Sequence, residues 1–559
     1  MAATVVEEPI TPERVGDAVQ AAEAGGGFSP REGARSVLRS ALNSRGLGRR
    51  AANLGFEAGK VLIGRSEVEP AKGDWRFKDE TWRSNPSYRR LMQIYLAWSQ
   101  TLLEAVNDAD VDWRDAERVR FLVELLTSSV APTNFLLGNP AALKHVFETG
   151  GISLLRGSRN LLHDLRKNGG MPSIVDRSAF EVGNNLAATP GAVVYRDEVC
   201  EVIQYTPSTP EVRQRPVLIV PPQINKYYFM DLAPGRSFIE HAVAQGLPVL
   251  IISWRNPGTE QRDWDFDVYA AAVERAIDVA RDVSSSDDVN LLSLCAGGIL
   301  ATTVLNYLAA QNDPRVSTAS FGVTLLDFSV PAPIGMFSTA PLLALARNRS
   351  LRAGILDGGT LATVFSWLRP NDLVWNYWVN NYLMGNDPPR FDILAWNVDS
   401  TNLPARLHRQ FLDIFEHNVL ARPGAFEVLG TPVDLGSIEV ETYVTGATTD
   451  HLTPWKGCYQ TTQLLSGPST FVLSNAGHIA SLINPPGNPK AHYFEGPEPV
   501  GGPEEWRSHA ERRQGTWWEH WTNWIKDQGR SGRERKAPSK LGSRKYRVVE
   551  TAPGSYIRG

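Results

Sequence analysis

Between residues 88 and 165 apolar side chains recur at helical spacing. Leu91, Tyr95, Trp98 and Leu102 fall at i, i+4, i+7 and i+11, and Val119, Leu122, Val123 and Leu126 repeat the stripe. A Leu-rich stretch from Ile152 to Leu165 continues it, and NGGMPS after Lys167 breaks it. After residue 190 the period changes. AVVYRDEVCEVIQYTP reads as two short strands or a hairpin, and PVLIV (216–220), PVLIISW (248–254), NLLSL (290–294) and VTLLDF (323–328) are continuous apolar runs of strand length. Helical patterns such as VYAAAVERAIDVARDV (268–283) lie between several of them, which predicts buried parallel strands alternating with helices. A Trp- and Asn-rich stretch interrupts the alternation from about 329 to 438, and VETYVTG (440–446) and STFVLS (469–474) resume it. Such an insertion predicts a cap or lid over the strand ends. Residues 1–50 show no core pattern and read as disordered or loosely helical. The expected organisation is that segment, a helical domain over 51–185, and an α/β domain over 186–559 with its lid at about 329–438.

Composition narrows the function classes. With 42% apolar and 21% charged residues among 559, a large core is available and global disorder is excluded. Fifty-seven Lys and Arg against 61 Asp and Glu, a net charge of −4, argue against a nucleic-acid partner. Three cysteines make no disulfide framework and fit a reducing cytoplasm. The start, MAATVVEEPITPE, has acids where a secretory leader has a basic stretch and an apolar core, and no apolar run reaches the ~18 residues of a membrane span.

The chemistry concentrates in NLLSLCAGGIL (290–300), where an apolar strand runs into S-L-C-A-G-G and then an apolar helix pattern. This is the context of the G-x-S-x-G nucleophile elbow, with Cys295 in place of Ser and Ser293 in place of the first Gly. At a helix N-terminus the dipole and free N–H groups favour a thiolate and an oxyanion. The plain alternative is a buried structural cysteine beside a Gly-rich turn. A thiol nucleophile needs a base, and in this fold the order is nucleophile, acid, histidine. Asp450 follows VETYVTG in GATTDHLTPW, and His478 follows STFVLS in NAGHIASLINPP. Three such residues at strand ends in the right order predict an α/β-hydrolase fold with a Cys295–His478–Asp450 triad. His451 is a second, supporting candidate beside Asp450. The backbone N–H of Ala296 and one from PPQINKYYFMDL (221–232), assigned to Ile224, are the expected oxyanion donors. Cys200, Cys295 and Cys458 show no metal-ligand spacing with any histidine, so no metal or other cofactor is expected. Trp517, Trp521 and Trp524 form a helix stripe that reads as core, and the basic tail from Arg530 to Lys545 reads as a solvated terminus.

From about residue 72 to the end the chain resembles the polyhydroxyalkanoate synthases. The resemblance rests on KGDWRF, PPQINKYYFMDL, ISWRNP, LCAGG, WLRPNDLVWNYWVNNYL, FDILAWNVDSTNLP, TDHLTPW, GHIASLINPPGNPKA and the WW…W segment before APGSY. It is closest to the single-subunit, medium-chain-length class, with Ser293 as the departure from the family's usual Gly. The resemblance implies polymerisation of (R)-3-hydroxyacyl-CoA into a storage polyester with release of CoA. Cys295 would hold the chain as a thioester, His478 would generate the thiolate, and Asp450 would activate the 3-hydroxyl of the incoming unit. It also implies a homodimer at the surface of cytoplasmic polymer granules, in company with granule-associated proteins, and helices at the N-terminus that assist both associations. Two other readings compete. One is a thioesterase or polyester depolymerase that uses water as acceptor. The other is a granule scaffold with a vestigial site.

Overall fold

Capping residues fix where the first helices start. A computed structural model describes residues 46–108, 112–331 and 340–559. Helix α1 spans Leu47–Leu62; α2, Pro86–Asn107, opens on Asn85, whose side-chain oxygen accepts the Ser87 and Tyr88 amides. Asp112 caps α3 (Trp113–Ser129), and Asn139 caps α4 (Pro140–Glu148), which α5 (Ile152–Lys167) follows. The stripes expected here are offset: Tyr95, Val119 and Val123 are buried, whereas Leu91 and Leu126 face outward. Phe77, Trp82, Met92, Tyr95, Leu96 and Ala131 make the small core of this part.

The chain forms two compact units. The first takes the described residues up to Arg177 together with 340–345 and Thr363–Phe391, and the second runs from Ser178 and includes Ala346–Ala362 and Asp392–Gly559. The stretch expected as one lid, 329–438, is therefore divided. Its NDLVWNYWVNNYL part makes two π-helical turns, Asn371–Trp375 and Trp378–Leu383, in the first unit. Trp367, Trp375, Trp378 and Tyr382 form a row of edge-on rings there, and Trp378 Nε1 donates to the Asn134 carbonyl at 3.1 Å. A break in strand–helix alternation marks where the sheet pauses; it does not say which unit receives the intervening chain. The expected segment 1–50 lies outside the described residues as far as residue 45.

The second unit is built on one sheet of eleven strands. They are β1 (Gly191–Arg196), β2 (Cys200–Tyr205), β3 (Val217–Val220), β4 (Val249–Trp254), β5 (Val289–Leu294) and β6 (Val316–Gly322). After the insertion come β7 (Glu441–Ala447), β8 (Ser469–Ser474), β9 (His492–Glu495), β10 (Glu511–Gln514) and β11 (Glu550–Thr551). The spatial order is β10-β9-β8-β7-β6-β5-β3-β4-β2-β1-β11, and β4, β3, β5, β6, β7 and β8 run parallel. Strands covered on both faces are mostly apolar, which is why β3, β4 and β5 are legible as compact apolar runs. Strand β6 is the exception. VSTASFG pairs with β5 and β7, and the apolar VTLLDF expected as the strand follows its end, with Val323 at φ +45°. Small and hydroxylated residues suit the crowded sheet centre, where Thr318 Oγ1 donates to Asn290 Oδ1 at 2.8 Å.

Helices α6 (Phe266–Ser284) and α7 (Ala296–Ala310) contribute their buried faces to the main core, and α8 (Ala405–His417) and α9 (Trp455–Leu464) join it. In α10 (Trp517–Ile525), Trp517, Trp518 and Trp521 surround Phe238, and the tryptophan stripe is core. The basic tail does more than trail in solvent: Arg530 makes two hydrogen bonds to Glu441, and Glu534–Lys536 pairs as a short strand with Glu211–Arg213.

Candidate active site

The turn after β5 is strained in a way that aims one side chain outward. Cys295 has φ +51° and ψ −123°, a conformation costing a non-glycine residue ~1–3 kcal/mol, and it caps α7. Its amide donates to the Gly322 carbonyl at 2.9 Å, and its carbonyl accepts from the Gly298 amide at 2.9 Å. A Cβ on Gly297 would lie 2.4 Å from the Val220 carbonyl oxygen, and one on Gly298 would lie 2.2 Å from Thr324 Oγ1. Both glycines are thus required for α7 to cross the ends of β3 and β6. Ser293 fits where a glycine is usual because its hydroxyl donates to the Ser320 carbonyl at 3.0 Å, inside the sheet.

Asp450 lies past the end of β7 and is buried. Its Oδ1 accepts the amides of Leu452 (2.8 Å) and Thr453 (2.9 Å). Its Oδ2 accepts the Thr453 hydroxyl and His478 Nδ1, both at 2.7 Å. His478, also buried, begins a short helix, His478–Leu482, past the end of β8. Tryptophans of α10 brace that helix: Trp517 Nε1 donates to the Ser481 carbonyl and Trp518 Nε1 to the Leu482 carbonyl.

Burial alone pushes the His478 imidazole toward neutrality. The Asp450 charge, then Cys295, by charge and by hydrogen bonding, overcome it and raise the imidazole to about 10. Asp450 shows the converse. Burial raises it, but the His478 charge and the Thr453 hydrogen bonds hold it below the usual carboxylate range. The other two thiols are fully buried, and burial pushes both far up; Cys295 alone is partly accessible. A thiol beside a charged imidazole at a helix N-terminus is set up for nucleophilic attack on a carbonyl.

The other expected residues lie just past strand ends. Ala296 is the first residue of α7, where backbone N–H groups have no intrahelical acceptor. Ile224 is half-buried after β3 and packs on the same core as Cys295. His451 is half-buried next to Asp450. One participant escapes a reading by type and order. Thr453 fixes Asp450, and its position three residues on in TDHLT is the only hint the sequence offers. Gln223, after β3, is buried, and neither its side-chain nitrogen nor its oxygen is hydrogen-bonded among the described residues. Beyond it, residues 392–402 fasten down the loops that follow β3 and β4. Trp396 Nε1 donates to the Lys226 carbonyl, Arg236 pairs with Asp392, Lys226 with Asp399, and the Asn402 amide donates to Asn256.

Comparison with known proteins is consistent with this geometry. The model of the poly-beta-hydroxybutyrate polymerase (PhaC) N-terminus matches residues 73–242, and that of the alpha/beta hydrolase fold matches 216–485. Poly(3-hydroxyalkanoate) polymerase 1 of Ectopseudomonas oleovorans is 45% identical over 525 residues, covering 94% of this chain and 93% of that protein. Poly(3-hydroxyalkanoate) polymerase 2 of the same organism is 45% identical over 505 residues, with 90% of each chain covered. The polymerase subunit PhaC of Cupriavidus necator is 41% identical over 504 residues, covering 89% of this chain and 85% of that one.

Proposed function

The chain belongs to the poly(3-hydroxyalkanoate) polymerases, and from that premise we propose that it polymerises (R)-3-hydroxyacyl-CoA through a thioester on Cys295. The observation that carries the site assignment is the buried Asp450–His478 pair, 2.7 Å apart, with the imidazole raised to about 10 by Asp450 and Cys295. His478 takes the Cys295 proton, and the thiolate attacks the carbonyl carbon of the acyl-CoA thioester. The oxyanion faces the N–H groups of Ala296 and Ile224. Collapse expels the CoA thiolate, which takes the proton from His478 and leaves as CoA, with the acyl group on Cys295.

Acylation changes the base. Once the sulfur is esterified, one of the two influences that raise His478 is gone, and its proton has left with CoA. The neutral imidazole can then accept the proton of a hydroxyl as that oxygen attacks the thioester, regenerating thiolate and imidazolium. The resemblance implies that Asp450 performs this second step. Its surroundings favour a different division of labour. A carboxylate offers about four acceptor positions, and those of Asp450 are taken by Leu452, Thr453 twice and His478. A carboxylate so engaged, and held below its usual range, orients the imidazole in both steps. Water at ~55 M competes with every hydroxyl acceptor, and a site over Cys295 closed to water is what separates polymerase from thioesterase. The same reading places the enzyme, as a homodimer, at the surface of its polymer granules. The assay is purified enzyme with hydroxyacyl-CoA, following CoA release and polymer together. Polymer in step with CoA supports the reading, and CoA with free hydroxy acid and no polymer would return the thioesterase.

A further inference from the structure

Helix α5 inverts the usual rule of packing. Its buried residues are Ser153, Gly157 and Asp164. A Cβ on Gly157 would lie 2.0 Å from the Tyr382 carbonyl oxygen, so backbone meets backbone there. Asn160 Nδ2 donates to the Asn381 and Asn386 carbonyls at 3.1 and 3.0 Å, and the Tyr382 hydroxyl donates to Asp164 at 2.8 Å. A small, polar, hydrogen-bonded face therefore anchors the helix, and its apolar side is left outward. Ile152, Leu155, Leu162 and Leu165 are 52%, 74%, 51% and 44% exposed. Beside them on the helical wheel run Arg156, Arg159, Arg166 and Lys167, all exposed. The one acid of the helix, Asp164, is buried on the other side, and none of the four cations forms an ion pair among the described residues.

We propose that this face binds an anionic phospholipid surface, with α5 lying in the headgroup plane. An aliphatic stripe flanked by a purely cationic one is the pattern of an interfacial helix, its leucines entering the acyl boundary and its arginines meeting phosphates. The charge decides among occupants. An uncharged polymer surface would use the leucines but give the cations nothing to pair with. A second copy docked through the same helix would bring two cationic stripes together. A helix of 16 residues carrying these charges does not cross a bilayer, and no described helix is long and apolar enough to do so. The face lies in the first unit and Cys295 in the second, so the proposal concerns where the enzyme sits and stands independently of its chemistry.

Co-sedimentation of the full chain with vesicles tests it, using phosphatidylcholine alone and phosphatidylcholine with one third phosphatidylglycerol. The enzyme should bind the anionic vesicles at least about tenfold more tightly, with binding lost at high salt. The double variant Leu155→Ser/Leu162→Ser and the triple variant Arg156→Gln/Arg159→Gln/Arg166→Gln should each lose most of that binding while releasing CoA from soluble substrate at the parent rate, which also shows that they are folded. Equal binding to both vesicle types, or retention in both variants, would overturn the proposal. So would loss of self-association in sedimentation velocity, which assigns the face to a second copy, or salt-independent loss of binding to polyester particles alone, which assigns it to polymer.

Discussion

Two histidines of the second unit are buried almost equally, His478 at 6% and His408 at 7% exposure, and they titrate in opposite directions. His408, on α8, is driven down to about 4 by burial, with the Arg347 charge adding to it. Among the described residues its Nδ1 meets only the Ser350 hydroxyl, at 2.9 Å, and the nearby acids Asp413 and Glu416 are paired with Arg347. His478 suffers the same desolvation but has a carboxylate at 2.7 Å and a thiol beside it, and rises to about 10. Burial by itself makes an inert histidine; burial with an oriented acid makes one that carries a proton. The difference lies in the Asp450 carboxylate, held in place by Leu452 and Thr453, and in the Cys295 thiol beside the ring.

Removing the nucleophile breaks the comparison most completely. Cys295→Ala should abolish acyl labelling and polymer while the fold is retained, whereas Cys200→Ala and Cys458→Ala should label as the parent does, all read by mass spectrometry after substrate addition. His478→Gln should come next, with acylation in a single turnover reduced by about 10²–10⁴-fold, while His408→Gln should acylate at the parent rate. Asp450→Asn should slow acylation and elongation to similar degrees, because the same oriented imidazole serves both. Acylation at the parent rate with stalled elongation would restore the hydroxyl-activating role to Asp450.

Smaller effects sharpen the contrast through pH. The alkaline limb of acylation should lie near 10, where His478 loses its proton, and Asp450→Asn should move it down toward the ordinary histidine value of about 6.5. Stability should slope in opposite directions. His478, raised on folding, contributes below 6.5 and loses that contribution as pH rises through about 10. His408, lowered on folding, costs stability as pH falls from 6.5 toward 4, because the unfolded chain takes up the proton first. Denaturant titration of the parent against His408→Gln should show the parent losing stability faster over that acid window.

Much of this site was legible before any coordinates. The apolar run into LCAGG, with Asp450 and His478 in order after later strands, could be read because a strand buried on both faces and a glycine-dependent turn each leave a local signature. Elements whose identity depends on distant partners were not legible. Strand β6 is VSTASFG, polar enough to be passed over for the apolar VTLLDF beyond it, because cross-strand neighbours rather than its own hydropathy hold it. The stretch 329–438 reads as one insertion, yet Tyr382 and Asn381 are claimed by Asp164 and Ser173, over 200 residues earlier. The Leu-rich run of α5 means the reverse of the usual thing, since its Gly157 and Asn160 are the packing residues.

The most direct test of the account is a quenched single turnover of the full-length enzyme with one equivalent of 3-hydroxyacyl-CoA, digested and measured by mass spectrometry. The account predicts one hydroxyacyl group on the peptide that carries Cys295, with one CoA released for each adduct and no adduct in His478→Gln on the same timescale. An adduct on Cys200 or Cys458, or CoA released with no acyl-enzyme at any time, would contradict it.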